Sequence, residues 1–383
     1  MNEKEYLTNK NFCPIPWTGL MYNFDGNVKN CIRSSEPIGN IQKNNIEDIL
    51  SGKENTSTKE NMLANKPGSR CNPCYELDKE KKSFEIISDR IFYLRELKSV
   101  PLSLYSEPTN FNLQKIDVRW SNLCNFACVY CSPDFSSRWE NELKLKITTP
   151  NENSKTKFAE YIYKNLSQLK HVYLAGGEPL LMKENLRLLE LLSQENPNVN
   201  LRINTNLSKA DTKIFEKICE FKNVHWTVSV ESIEDEYEYI RYGGRWLDFV
   251  DNLTQIQSIG HKISFNMLHF LLNYKSIFKC IDWLQARGFH PNSFIIQPLL
   301  EPEYLNIRHL PQDVLHSVMT ELQSRIDSGP GFLLENGYRN MSQYITKPFE
   351  KNLAESINKI GILDQRRGLD SKKIFANLYK YVN

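Results

Sequence analysis

From residue 115 onward, short apolar segments alternate with longer segments in which apolar residues recur every three or four positions. The short segments predict buried β-strands, and the periodic segments predict amphipathic helices. The predicted strands comprise residues 116–120, 171–174, 200–204, 225–230, 262–268 and 294–297. The predicted helices comprise residues 157–169, 183–195, 211–221, 245–259 and 274–288.

This alternation predicts an α/β fold whose parallel strands are joined by right-handed helical crossovers. Six strand–helix units span about 185 residues, whereas a closed eight-stranded barrel typically takes roughly 250. We therefore expect a partial (βα)6 TIM-like barrel. Residues 311–383 carry helical periodicity without a strand pattern, which predicts a helical C-terminal tail.

The first 80 residues are rich in Asn, Gly, Pro and Cys. Two half-apolar runs flank Asp25 and Gly26, a dipeptide typical of a tight hairpin. Residues 46–50 predict a short helix followed by a polar stretch, and residues 78–90 predict another helix. The expected parts are a small cysteine-rich domain over 1–90, a linker over 91–112, the partial barrel over 113–300 and a helical extension over 301–383.

Composition narrows the possible functions. The 48 basic and 46 acidic residues nearly balance, so whole-chain charge gives no nucleic-acid signal. A mean hydropathy of −0.51 and the lack of an apolar run near 18 residues predict no membrane span. The first ten residues lack the apolar stretch of a signal peptide, so we expect a cytoplasmic protein.

The chain has nine cysteines, and this odd count in a chain without an export signal favours metal-binding or catalytic thiols over disulfides. Seven of them fall into two spaced groups. Cys219 and Cys280 stand alone on predicted helices in apolar surroundings, which predicts buried structural thiols.

The first group is Cys124, Cys128 and Cys131, which follow directly on the first predicted strand of the barrel. Iron–sulfur clusters normally take four cysteines, so three thiolates on one loop leave one iron open to an external ligand. The alternative is a structural zinc site, which needs a fourth Cys or His. Residues 132–158 contain neither.

This Cys-x3-Cys-x2-Cys spacing, with Tyr130 before the last cysteine, resembles the radical S-adenosylmethionine (SAM) superfamily. The resemblance implies a [4Fe–4S] cluster whose open iron chelates SAM, and reductive cleavage of SAM to a 5′-deoxyadenosyl radical that abstracts a substrate hydrogen. It also implies that Tyr130 packs near the adenine and that a protein such as flavodoxin or ferredoxin donates the electron.

Further stretches resemble the family in the expected order. Gly176, Gly177, Glu178 and Pro179 follow the second strand, where the family binds the amino group of SAM. The remaining SAM-binding residues implied by the resemblance are Asn204, Asn206, Ser229, Glu231 and Arg241. Glu231 stands where relatives often have Asp. Arg241 is either a partner of the SAM carboxylate or a surface arginine.

The second group is Cys13, Cys31, Cys71 and Cys74. Cys13 and Cys31 bracket the predicted hairpin, whose turn would bring their thiolates together. The spacing resembles SPASM/twitch modules, which hold auxiliary clusters, here placed before the barrel. It implies an auxiliary [4Fe–4S] cluster.

A four-cysteine zinc ribbon is the alternative for this second group, because an all-thiolate tetrahedral site suits both metals. Zinc ribbons usually pair both halves as Cys-x2-Cys, and the wide first pair disfavours that. Four protein ligands leave no open iron, so electron transfer or structural support is the expected role.

The substrate is the least determined part. Enzymes with auxiliary clusters mostly modify peptide or protein side chains, which is the first expectation, although no separate leader-binding module is evident before Cys13. The alternative is a small molecule such as a sugar, nucleotide or amino-acid derivative. The alternative from a different functional class is a non-catalytic regulator that binds an iron–sulfur cluster or zinc. Asp134 and His269 are candidate catalytic residues, and their alternatives are a solvated loop carboxylate and a structural histidine.

Overall fold

The computed structural model describes residues 2–79, 88–95, 97–147 and 149–381. Two compact units divide the chain by spatial contacts. The first comprises Met1–Leu123, Lys146–Ile203 and Thr212–Val224, and the second comprises Cys124–Leu145, Asn204–Asp211 and His225–Asn383. The domain boundaries expected above rest on sequence motifs rather than on spatial contacts, and they stay a prediction. No helix in the described ranges is both long and apolar enough to span a membrane.

Nine strands are described: β1 (Gly19–Tyr22), β2 (Asn27–Lys29), β3 (Gly39–Asn40), β4 (Lys115–Val118), β5 (His171–Leu174), β6 (Asn200–Thr205), β7 (Val224–Ser229), β8 (Lys262–His269) and β9 (Phe294–Pro298). In the first unit their order is β3-β2-β1-β4-β5-β6. There β1, β4, β5 and β6 run parallel, and β2 and β3 are antiparallel to their neighbours. In the second unit β7, β8 and β9 run parallel in that order.

The helices are α1 (Glu3–Thr8), α2 (Ile15–Thr18), α3 (Ile46–Ser51), α4 (Lys53–Leu63), α5 (Asn72–Lys79), α6 (Asp89–Leu94), α7 (Ser137–Leu143), α8 (Glu152–Tyr163), α9 (Lys183–Glu195), α10 (Lys213–Cys219), α11 (Glu234–Ile240), α12 (Trp246–Ile259), α13 (Ser276–Gln285), α14 (Gln312–Asp327), α15 (Phe332–Ile345), α16 (Leu353–Arg367), α17 (Ser371–Ile374) and α18 (Ala376–Tyr379). Beyond β9 the described chain is helical, so the predicted α/β class with a helical C-terminal region is confirmed.

The six predicted barrel strands correspond to the observed strands β4 to β9, and their first and last residues agree within two positions. The tight hairpin also forms: β1 and β2 pair with Met21 opposite Lys29, and Gly26 adopts a positive φ of 82°. The polar stretch after residue 50 folds as α4, a helix that the sequence pattern did not predict. Of the helix expected over 78–90, residues 80–87 lie outside the described residues.

The helix α4 was missed because its buried positions are polar. Asn55 and Lys59 are fully buried, and both are satisfied by hydrogen bonds. The amide of Asn55 donates to the carbonyl of Leu50 at 2.7 Å, and the ammonium of Lys59 donates to the carbonyl of Asn110 at 2.8 Å. A hydrophobic periodicity cannot reveal a helix whose inward face is hydrogen-bonded rather than apolar.

The two faces of the sheet differ in the first unit. Ile116, Val118, Val172 and Leu174 are buried on one face. Trp120 continues this face and donates its indole N–H to Asn185 of α9 at 2.9 Å, so this side packs on the helices. The alternating positions carry polar side chains, and they define the opposite face.

Candidate functional site

The first cysteine group lies on a loop that follows β4. Cys128 is buried, whereas Cys124 and Cys131 are half-buried. The amide of Cys131 donates to the carbonyl of Cys128 at 2.9 Å, which closes a tight turn, and the amide of Phe126 points at the sulfur of Cys124 at 3.5 Å. Two backbone bonds from Ala127 and Val129 to residues 242 and 240 fix the loop.

Burial raises the pKa of the Cys128 thiol, and burial together with the nearby Cys128 raises the pKa of Cys131 to about 12. Without a ligand, these thiols therefore hold their protons at neutral pH. Metal ligation requires thiolates, so a bound cluster supplies the compensation that this site lacks by itself. The donor set fits a cluster with three protein ligands.

Glu231 and Arg241 lie beside this loop, and the structure pairs them with each other. Arg241 donates from Nε to Oε2 at 2.8 Å and from Nη2 to Oε1 at 2.6 Å, and both side chains are buried. The hydroxyl of Tyr130 donates to the same Oε1 at 2.9 Å. The Nη1 of Arg241 lies 3.8 Å from the sulfur of Cys128.

The surface-arginine alternative for Arg241 is therefore wrong, because this side chain is buried against a cluster ligand. The SAM contacts of Glu231 and Arg241 stay a prediction, and the charges of the two side chains already compensate each other. Tyr130 lies beside this ion pair, with the guanidinium of Arg241 5.6 Å from its ring centroid, and its packing on the adenine of SAM stays a prediction.

The end of β6 also reaches the cysteine loop. The amide nitrogen of Asn206 lies 3.8 Å from the sulfur of Cys124 and donates to the side-chain oxygen of Asn125 at 3.1 Å. Asn204 is half-buried near the same strand end, and Ser229 is half-buried at the end of β7. N–H groups directed at a ligating sulfur are a known means of tuning a cluster.

The Gly176–Pro179 turn packs on the backbone that precedes the cysteine loop. A Cβ added to Gly177 would lie 2.2 Å from the carbonyl oxygen of Leu123, and Gly176 has a φ of +112°. The amide of Glu178 donates to the same Leu123 oxygen at 2.7 Å. The two glycines therefore let this turn pack closely on the chain's own backbone.

The carboxylate of Glu178 is fully buried, and its Oε1 accepts the amide of Leu180 at 3.2 Å. Pro179 is buried and begins a short 3-10 turn. The predicted contact between Glu178 and the SAM amine stays a prediction.

The second cysteine group lines one cavity in the first unit. Cys13 precedes α2, Cys31 follows β2, Cys71 ends a 3-10 turn and Cys74 lies in the first turn of α5. The other lining residues are Ile15, Pro16, Asn30, Arg33, Ser34, Thr58, Arg70, Asp89, Arg90 and Tyr93. The hairpin thus brings distant cysteines to one place, as its Asp-Gly turn predicted.

Burial raises the pKa of all four thiols, that of Cys71 to about 12, and charges on neighbouring thiols raise the pKa of Cys13 and Cys71 further. Four mutually repelling thiolates suit a multi-iron cluster that shares their charge. Within the described ranges, no three His, Cys, Asp or Glu side chains converge closely enough to hold a single metal ion.

The two candidate catalytic residues lie in different surroundings. Asp134 is exposed on a short turn after the cysteine loop. His269 is buried, and its Nε2 lies 3.2 Å from the carbonyl oxygen of Tyr274. These placements match the alternatives of a solvated carboxylate and a satisfied structural histidine. Of the isolated cysteines, Cys280 is fully buried and Cys219 is half-buried.

One contributor near the cysteine loop was missed. Arg367, at the end of α16, lies between the rings of Trp139 and Tyr242 at 4.4 and 4.3 Å. Its Nε donates to Glu142 at 3.1 Å, and the indole of Trp139 donates to the carbonyl of Cys128 at 2.8 Å. No sequence motif predicts a role for Arg367 at this site, because it lies more than 200 positions after the cysteines.

These features define an α/β enzyme with two cysteine sites suited to iron–sulfur clusters. The sequence matches the Radical SAM superfamily over residues 118–296 and an iron–sulfur cluster-binding domain (SPASM) over residues 13–75. Residues 118–296 are therefore a radical SAM domain, and residues 13–75 are an N-terminal SPASM domain. The cofactors of this chain are accordingly a [4Fe–4S] cluster, SAM and an auxiliary iron–sulfur cluster.

Two curated relatives illustrate the similarity. The GTP 3′,8-cyclase of Sulfurimonas denitrificans is 21% identical over 248 residues, which cover 62% of this chain and 73% of that protein. The 7-carboxy-7-deazaguanine synthase of Clostridium acetobutylicum is 35% identical over 100 residues, 26% of this chain and 39% of that protein.

Solved structures match the fold more distantly. Native anSMEcpe with bound AdoMet is 15% identical with a TM-score of 0.41, and the match covers 55% of this chain and 60% of that one. SuiB of Streptococcus suis bound to S-adenosylmethionine is 17% identical with a TM-score of 0.40, and the match covers 67% and 59%. This chain thus spans about three fifths of each solved structure.

Proposed function

We propose that this radical SAM enzyme holds its catalytic cluster through Cys124, Cys128 and Cys131 and abstracts a hydrogen atom from a small-molecule substrate. The observation that carries the cluster assignment is the loop itself: three thiols on one tight loop, one buried and two half-buried, with no fourth cysteine near them in sequence. When bound, the cluster supplies an open iron for SAM and the electron that cleaves SAM to methionine and a 5′-deoxyadenosyl radical.

The chain's own residues shape this site. Arg241 neutralises Glu231 and directs an N–H at Cys128, while Asn206 directs an N–H at Cys124. Tyr130 completes the buried network and offers its ring to the adenine of SAM. A buried, preorganised surrounding of this kind excludes the water that would quench a radical.

The proposed SAM contacts are those the family resemblance implies. Gly176, Gly177, Glu178 and Pro179 form the turn for the amino group, and Asn204 and Ser229 end strands where polar side chains serve the ribose and carboxylate. The electron comes from a flavodoxin or ferredoxin.

The auxiliary cluster is assigned to Cys13, Cys31, Cys71 and Cys74. Four thiolates complete the ligand set of a [4Fe–4S] cluster, so no iron is left for substrate. The domain then relays electrons or shapes the substrate site. The four cysteines line one cavity, and all of them lie within the SPASM match, which supports this assignment.

The curated relatives whose names state a reaction, GTP 3′,8-cyclase and 7-carboxy-7-deazaguanine synthase, support a small-molecule substrate. The peptide substrate expected from the auxiliary cluster remains the second candidate. A mass-spectrometric search for consumed compounds, run on nucleotides and on peptides in parallel, separates the two: consumption of a peptide alone would reject the small-molecule assignment.

The experiment for the radical chemistry measures 5′-deoxyadenosine after anaerobic reduction of the enzyme with SAM. Cys128→Ala should reduce the yield at least tenfold. Cys219→Ala is the matched control, because that half-buried thiol belongs to neither group. Equal yields from the two variants would reject the assignment of the catalytic loop.

A further inference from the structure

The polar face of the sheet in the first unit carries charged residues that the radical chemistry does not use. Lys115, Asp117 and Arg119 alternate along β4 and its extension, and Tyr173 of β5 pairs with Asp117 in the strand register. Parallel sheets are normally apolar on both faces, because both are covered. TIM-barrel interiors are likewise filled with branched apolar side chains. A charged face is therefore a departure that needs a cause.

Asp117 is the buried centre of this face, only 4% exposed. The Nε and Nη2 of Arg119 donate to its two oxygens at 3.2 and 3.3 Å, which is long for a charged pair. The Nη1 of Arg119 makes no hydrogen bond to any described residue. One guanidinium N–H direction therefore stays available beside a carboxylate that is already engaged.

Lys115 adds a second available donor. Its ammonium lies 3.9 Å from the ring centroid of Tyr93, and no hydrogen bond or ion pair joins it to the described chain. Tyr173 adds a third, because its hydroxyl has no hydrogen-bond partner among the residues that the structure describes.

These three donors lie close together. Lys115 and Asp117 are two residues apart on one strand, about 7 Å, and Tyr173 lies on the adjacent strand at about 5 Å. None of these three donor atoms is sealed in the core, so each is open to solvent or to a ligand beside the engaged carboxylate of Asp117. Lys115 and Arg119 carry two positive charges against the one negative charge of Asp117, and Arg202 lies over the Tyr173 ring, so the face favours an anionic ligand over a neutral or cationic one.

The place of this face within the first unit fits a substrate. Tyr93, which lies against Lys115, also lines the cavity of the four cysteines. At the other end, a Cβ on Gly176 would lie 3.4 Å from the Cα of Arg119. The donors thus extend from the auxiliary-cluster cavity to the proposed SAM-binding turn.

We propose that Lys115, Arg119 and Tyr173 bind an oxyanion, a phosphate or carboxylate group, of the small-molecule substrate. This inference rests on the proposed function, because it assigns the ligand of the same active site. Asp117 orients Arg119, and the oxyanion fills the Nη1 direction that Asp117 leaves open.

The test uses the reconstituted enzyme and isothermal titration with two probes, inorganic pyrophosphate and citrate. At least one should bind, and Arg119→Gln should weaken its binding about tenfold, because the variant loses a hydrogen bond between two charged groups. Tyr173→Phe should weaken it less, and Arg119→Lys should restore part of the affinity. Tighter binding of pyrophosphate assigns a phosphate, and tighter binding of citrate assigns a carboxylate.

Arg187→Gln is the matched control, because its side chain is 62% exposed on α9 and should leave both affinities unchanged. Iron content measured on every variant verifies that it folds and loads its clusters. No binding of either probe, or equal affinity in wild type and Arg119→Gln, would overturn the inference. If the wild-type enzyme forms 5′-deoxyadenosine but binds neither probe, only this inference is overturned. If the wild-type enzyme forms no 5′-deoxyadenosine, the proposed function itself is rejected.

Discussion

Glu231 and Arg241 are joined by two hydrogen bonds, with both side chains buried against the loop of the first cysteine group. A buried ion pair is costly to break, because removing one partner leaves the other charge uncompensated. The pair therefore holds the loop in place whether or not SAM contacts it.

Glu231→Gln should lower the free energy of unfolding by about 3–5 kcal/mol, because Arg241 then keeps an uncompensated buried charge. Urea denaturation followed by circular dichroism measures this. The double variant Glu231→Leu, Arg241→Met should recover most of the loss. A single variant as stable as wild type would show that the pair is dispensable.

Gly177→Ala tests the contact between the Gly176–Pro179 turn and Leu123. The added Cβ cannot fit 2.2 Å from a backbone oxygen, so the backbone before Cys124 must shift. We expect a loss of about 1–3 kcal/mol in stability together with weaker SAM binding. Gly361→Ala is the control, because nothing lies within 4 Å of its Cβ position. It should be neutral or stabilising, and equal effects of both changes would contradict the account.

His269 should make stability depend on pH. Burial lowers its pKa from 6.5 to about 4, so between these values the unfolded chain binds a proton that the folded chain does not. Stability is then complete above pH 6.5 and falls by up to about 3 kcal/mol as pH drops to 4. His309 also has a lowered pKa, so only the difference between wild type and His269→Asn isolates His269. Parallel stability–pH curves for the two proteins would show that His269 does not titrate in this way.

The sequence predicted what depends on local pattern. The six barrel strands and the hairpin at Gly26 follow from periodicity and turn chemistry, and the two cysteine groups follow from spacing. It did not predict contacts between distant residues, such as Arg367 between Trp139 and Tyr242, because only the folded chain brings them together. The pairing of Arg241 with Glu231 was missed although they are ten positions apart, because α11 lies between them and brings the two side chains together only when it folds.

The auxiliary site should be separable from the catalytic one. Cys71→Ser with Cys74→Ser removes half of the ligand set of one cluster only. We expect 5′-deoxyadenosine formation to persist while product formation is lost, provided that the variant is soluble and keeps its far-ultraviolet spectrum. Both yields are measured in one assay, and full product formation would reduce the N-terminal domain to a scaffold. A substrate-dependent spectral change at the auxiliary cluster would instead show that one of the four cysteines is not a ligand. Cys13 is the first candidate, because it lies farthest in sequence from Cys71 and Cys74.

The central claim is that seven cysteines hold two clusters. Anaerobic reconstitution followed by iron and sulfide analysis should give about eight irons per chain, as two cubanes require. Changing Cys124, Cys128 and Cys131 together to Ala should leave about four. Stoichiometric zinc in anaerobically purified protein, or an iron content that the triple change leaves intact, would contradict the account.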